Sequence, residues 1–170
     1  MGGSGARAGN AGSFGAEGAG GVRDLGRAFT RAIPPACDAD PLWKSAPAGD
    51  AGRIELSLEV DERGHVTGFE VETRTPPRAL VSLARRTVAM LEAGTFALGP
   101  GGLARGSQRL EISARVSELD AEEEEAARSF GLRYTWEAGR GTASFTQVGG
   151  RRVDVSVRMV RVAVATAAAP

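Results

Sequence analysis

Apolar and polar positions along this chain alternate with two different periods, and the points where the period changes divide it into elements. Val22, Leu25, Phe29 and Ile33 recur at spacings of three and four, one face of a short helix. Pro34 and Pro35 are expected to end that helix. Cys37 to Gly52 reads as an irregular connector, with Leu42 and Trp43 as its only large apolar groups. A lone Trp there is read as core packing. Then the period becomes two: Ile54, Leu56, Leu58 and Val60 alternate with Glu55, Ser57 and Glu59, the pattern of a strand with one buried face. A turn follows at Asp61, Glu62, Arg63 and Gly64, and a second strand runs from His65 to Thr73, closing a hairpin.

Helical spacing returns after Pro76 and Pro77, residues suited to a first turn. Leu80, Leu83, Ala84, Thr87, Val88 and Leu91 form one stripe, and Gly94 is expected to end the helix. A Gly-rich loop, Gly99 to Gly102, leads to a third strand in which Leu110, Ile112, Ala114 and Val116 alternate with polar residues. The acidic run Asp120 to Glu125 reads as a solvated connector, lacking the ligand spacing of a calcium loop. Leu132 to Met159 reads as a three-stranded meander, with turns at Gly139-Arg140-Gly141 and Gly149-Gly150. A change of apolar phase near Met159 and Val160 predicts a bulge or a change of face.

These elements imply an α+β fold: a small antiparallel sheet built on a strand-strand-helix-strand core, preceded by a short helix and extended by a C-terminal β-meander. Residues 1–21 hold nine Gly and five Ala and read as a flexible linker. Residues 22–163 form the single domain, with its core at 52–119 and the meander at 131–163. Residues 164–170 read as a frayed tail.

Charge then narrows the functions. The chain carries 21 basic and 21 acidic residues, and residues 1–50, 51–119 and 120–170 each balance, with five, nine and seven of each sign. No segment makes the basic field that nucleic-acid binding needs, so no nucleic-acid partner is expected. All but one of the cations are Arg, Lys44 being the exception, a bias that fits a GC-rich bacterial coding sequence. Weakly polar runs without a charge, such as Val162 to Pro170, are far short of a membrane span, so this segment is not expected to insert. No signal peptide is read in residues 1–21.

Candidate chemistry is sparse. Cys37 is the sole Cys and His65 the sole His, so a thiol nucleophile would need a base from a segment that reads as a turn. One His, one Cys and carboxylates make a poor zinc set, and no metal or cofactor is expected. Glu55 and Glu59 share a strand face that is ordinarily solvated. Gly99-Pro100-Gly101-Gly102 lacks the GK[ST] ending of a phosphate loop. The expectation is a protein without enzymatic activity, able to bind an extended peptide at an open sheet edge.

The run GRIELSLEVDERGHVTGFEVET (Gly52 to Thr73), then ALVSLARRTVAMLEAGTF (Ala79 to Phe96) and RLEISARV (Arg109 to Val116) resembles the C-terminal domain of TonB-type energy transducers. Asp61 and Gly64 match that family's D-x-x-G turn, Val66 the start of its second strand, Leu80, Leu83 and Ala84 its helix, and Phe96 the aromatic after it. The likeness extends to variants carried by longer envelope proteins of myxobacteria-like organisms, and the meander from Leu132 lies outside the usual pattern. The resemblance implies a periplasmic or cell-envelope module for outer-membrane transport, docking an extended receptor segment on its third strand by β-strand addition. On that reading the docking strip is Gln108 to Ser117, with Arg109, Glu111, Ser113, Arg115 and Ser117 facing outward. The family's inner-membrane anchor is not present in the sequence, so binding without energy transduction is expected. The alternative is a structural or assembly module of a longer envelope protein whose sheet edge is covered by its own meander. A homodimer is compatible with either.

Overall fold

In the computed structural model, which describes residues 21–130, 132–147 and 150–165, the chain enters through a two-residue strand β1 (Arg23–Asp24) and turns directly into α1 (Leu25–Cys37). Asp24 caps that helix, its Oδ1 accepting the N–H of Arg27 at 2.8 Å. Pro34 and Pro35 lie inside α1 and do not end it. Neither can donate to the preceding turn, but they occupy the last turn, where Ile33, Pro34 and Cys37 are buried and Asp38 N–H closes on the Pro34 carbonyl at 3.0 Å. Core burial overrides the local breaker. A short helix α2 (Pro41–Lys44) places Trp43 in the core, edge-on to Phe145 with ring centroids 6.4 Å apart.

Strands β2 (Gly49–Val60) and β3 (Val66–Val71) form the expected hairpin, and α3 (Arg78–Ala89) follows, burying Leu80, Leu83, Ala84 and Thr87. A two-residue strand β4 (Phe96–Ala97) pairs in parallel with β1. Strand β5 (Gly106–Glu118) then returns antiparallel beside β2.

The acidic segment, expected as a solvated connector, is largely exposed but helical: it opens α4 (Ala121–Phe130). Asp120 Oδ1 accepts Glu123 N–H at 2.8 Å while Glu123 Oε2 accepts Asp120 N–H at 2.9 Å, a reciprocal capping box that satisfies two N-terminal donors.

The meander follows as β6 (Arg133–Glu137), β7 (Arg140–Gln147) and β8 (Arg151–Val164). Its first turn is Ala138-Gly139, not Gly139 to Gly141, with both residues at positive φ. Gly141 belongs to β7, where the close approach of Trp136 and Thr30 leaves no room for a Cβ. The bulge expected near Val160 is present: Leu110 faces Met159 and Arg109 faces Arg161, leaving Val160 unpaired. Strand β8 reaches Val164, opposite Gly106, so Val164 belongs to the sheet and not to the expected tail. Residues 1–20 of the predicted linker, Gly131 at the predicted start of the meander, Val148, Gly149 of the second predicted turn, and residues 166–170 lie outside the described residues.

The six long strands make one antiparallel sheet in the order β3-β2-β5-β8-β7-β6. This is an α+β architecture with α1 and α3 packed on each other and on one sheet face, α1 over β6 and β7 and α3 over β2. Between these layers lies one core of Leu25, Phe29, Ile33, Leu80, Leu83, Ile54, Leu56, Leu110, Ile112, Phe145, Val153, Val155 and Val157. The opposite face carries the polar alternates of every long strand.

Candidate interaction surface

β5 is the structural centre of the sheet, and its neighbours decide what its side chains and main chain can do. From Gly106 to Val116 it pairs with β2 on one side, and from Gly106 to Glu118 with β8 on the other. The backbone strip Gln108 to Ser117, read as an open docking edge from sequence, is therefore an interior strand. Only Ser117 and Glu118 lack a β2 partner. An added peptide strand has no edge of β5 to join, because the N–H and C=O groups it needs are already spent on β2 and β8.

The side chains of Arg109, Glu111, Ser113, Arg115 and Ser117 do share one face, as the period of two requires. That face is the one opposite the helices, where the strip is knitted to its neighbours. Glu111 lies 3.8 Å from Arg53 Nη1 and 3.2 Å from Arg158 Nη2. Arg109 reaches Glu55 at 4.0 Å and Glu72 at 3.8 Å, and Ser57 Oγ donates to Glu72 Oε1 at 2.9 Å. Glu55 and Glu111 are direct cross-strand partners. Like charges in that register repel, and the flanking Arg53, Arg109 and Arg158 offset them. Ser113 sits between Arg53 and Ser156, and Arg115 between Asp50 and Asp154. These residues border an open depression of about 560 Å³. A second groove, of about 410 Å³, lies where Glu123, Ala126 and Ala127 of α4 meet Arg133, Ser144, Thr146, Arg152 and Asp154. Partly exposed pairs such as these contribute little to stability each; their collective effect is a charged surface without a net field.

The D-x-x-G turn is built as its residue types demand. Asp61 Oδ1 accepts the N–H groups of Arg63 and His65, both at 2.9 Å, and these bonds, that of His65 first, hold its carboxyl below the usual carboxylate range. Gly64 is at φ +83 and packs against Thr95, Phe96 and Leu103. His65 is on the exposed turn, its Nδ1 3.8 Å from Asp61 Oδ2.

Cys37 is in the core, its thiol donating to the Leu83 carbonyl at 3.7 Å. Burial, reinforced by the Asp40 charge, pushes it up to about 12, the reverse of what activates a thiolate nucleophile. Cys37 and His65 therefore occupy different environments, one in the core and one on an exposed turn. Among the described residues no cluster of three or more His, Cys, Asp or Glu is placed to hold a metal ion, and no helix is long and apolar enough to cross a membrane.

The strands whose edges the sheet leaves unpaired are β3 and β6. Sequence periodicity locates both strands but does not mark them as outermost. No family model, curated protein or solved structure matches the chain.

Proposed function

We propose that this chain is a non-enzymatic assembly module of the cell envelope, a TonB-like core whose third strand is occupied by its own C-terminal meander. The observation that carries this reading is the pairing of β5 with β8 along the whole of β5, from Gly106 opposite Val164 to Glu118 opposite Arg151. The compartment rests on the resemblance of Gly52 to Thr73 and Ala79 to Phe96 to the TonB-type pattern. Docking an outer-membrane receptor segment on β5 would require β8 to leave. Re-exposing Val153, Val155 and Val157 alone costs roughly 5 kcal/mol or more, at about 1.5–3 kcal/mol for each buried side chain. A weakly bound extended segment does not offset that on main-chain bonds it merely exchanges.

Ser113→Pro in the intact chain tests the reading. At an open docking edge, Pro removes a donor that only a partner would use, and the domain stays folded. In an interior strand it breaks the ladder and the domain loses its cooperative thermal transition, which is the expected result. Amide hydrogen exchange on the parent adds an independent measure: the amides of Arg109 to Val116 should exchange only through global unfolding. Exchange of these amides together with Val153 to Val157 far more readily than the rest of the core would overturn the assembly reading in favour of a releasable docking edge.

A further inference from the structure

The outer strand β6 is self-complementary. Its five residues read Arg133, Tyr134, Thr135, Trp136, Glu137, and two copies laid antiparallel about Thr135 put Arg133 opposite Glu137, Tyr134 opposite Trp136 and Thr135 opposite itself. We propose that β6 pairs with β6 of a second copy of this chain about a twofold axis through Thr135, joining two six-stranded sheets into one.

Backbone polarity agrees with that register. Met159 N–H donates to the Gly139 carbonyl at 2.8 Å, and Gly141 faces Val157 two residues along. Hydrogen-bonded pairs alternate along an antiparallel ladder, so Gly139 and Gly141 direct their main-chain groups to β8. Trp136, opposite Gly141, and Tyr134, opposite Ala143, are thereby non-hydrogen-bonded partners of β7. Their N–H and C=O groups point away from β7, to the open side. In the proposed register Tyr134 and Trp136 of one protomer meet Trp136 and Tyr134 of the other, so each outward donor finds an outward acceptor.

The two faces match as well. Arg133, Thr135 and Glu137 are exposed on the polar face, and Arg133 and Glu137 form an opposite-charge pair at each end. Tyr134 and Trp136 are half-buried on the helix side, where Arg31 already stacks over Tyr134 at 5.3 Å, and give an aromatic cross-strand pair twice. The symmetry is isologous, as a closed dimer requires. The other edge, β3, lacks this property. Antiparallel pairing of Val66–Val71 with itself, about Gly68 or about Phe69, sets Glu70 against Val66 or against Gly68, so neither register makes an ion pair and each places a glycine in the contact. The proposal stands on β6 alone and does not depend on the assembly reading.

One short strand per protomer is well below a standard interface, so association is concentration-dependent, with a Kd of roughly 10 to 500 μM. Sedimentation equilibrium of the full chain between about 10 μM and 1 mM spans that range. Arg133→Glu and Glu137→Arg, each shown to be folded by circular dichroism, place like charges at both ends and should weaken self-association roughly tenfold or more. A 1:1 mixture of the two variants places Glu against Arg at both ends and should restore a dimer near the parent's affinity. Concentration-dependent protection of the Tyr134 and Trp136 amides, with Thr135 unchanged, is the expected exchange signature. A parent that stays monomeric at 1 mM, single variants that associate like the parent, or a mixture that stays monomeric would each overturn the proposal.

Discussion

The carbonyl of Gly64 accepts the N–H of Phe96 at 2.8 Å, and this bond ties the β2–β3 turn to the segment that leaves α3. A Cβ at Gly64 would lie 2.8 Å from that segment's Phe96 carbonyl oxygen and 2.6 Å from Leu103 Cδ2, at a φ of +83 that L residues avoid. Gly64→Ala should therefore cost about 2–4 kcal/mol, the left-handed penalty and overpacking together. A urea titration should show a lower midpoint with an unchanged slope.

Asp40 joins α2 to α3 through a buried carboxylate. Its Oδ1 accepts Leu42 N–H at 3.0 Å, while Oδ2 accepts Ser82 Oγ–H at 2.7 Å and lies 3.3 Å from Arg86 Nε. Asp40→Ala leaves that amide and hydroxyl without their acceptor and is expected to cost about 1–3 kcal/mol. Ser82→Ala should cost about 1 kcal/mol. The double variant should cost less than the sum, since both remove the same bond; strict additivity in a double-mutant cycle would show that the pair is not coupled.

Cys37 makes stability sensitive to alkali. Its thiol rises to about 12 in the folded chain from an ordinary 9.0, so between those values the unfolded state has released a proton that the folded state keeps. Stability is then complete below pH 9 and falls as pH rises toward 12, by on the order of 4 kcal/mol in full. Cys37→Ala should be less stable than the parent at pH 7, through the cavity it leaves, yet lose less stability between pH 9 and 11. Parallel pH profiles for the two proteins would show that the thiol does not contribute.

Asp120→Ala should act locally. Removing the capping side chain frees Glu123 N–H and costs about 1 kcal/mol of helix stability. Because the main contact of α4 among the described residues is with β7, the expected result is faster amide exchange in Ala121–Phe130 with little change in the global midpoint. A global loss of stability would mean that α4 folds as part of the core.

The elements of this protein are mostly written in local patterns. Alternation at Ile54 to Val60, Leu110 to Val116 and Val153 to Val157 marks strands because one sheet face is buried. The stripe from Leu80 to Thr87 marks α3 because one helix face is. The Asp61 to Gly64 turn is equally local: a side chain accepting amides two and four residues on, then a residue free to adopt positive φ. Even α4, read from its acidity as solvated connector, carries its own signal in the Asp120 and Glu123 capping pair. Local signals misled where burial outweighed them, as in the last turn of α1 around Pro34 and Pro35.

Sequence by itself determined an α+β chain with a strand-strand-helix-strand core and a following meander, because periods of two and 3.6 depend only on residues a few positions apart. Tertiary structure alone decided the strand order. An alternating strand such as Arg109 to Ser117 looks the same at an edge or in the interior, since its pattern records which face is buried and not which main-chain groups have partners. Folding β8 back onto β5 satisfies those groups and buries Val153, Val155 and Val157 in one step, and that long-range pairing moves one open edge from β5 to β6 while the other stays at β3.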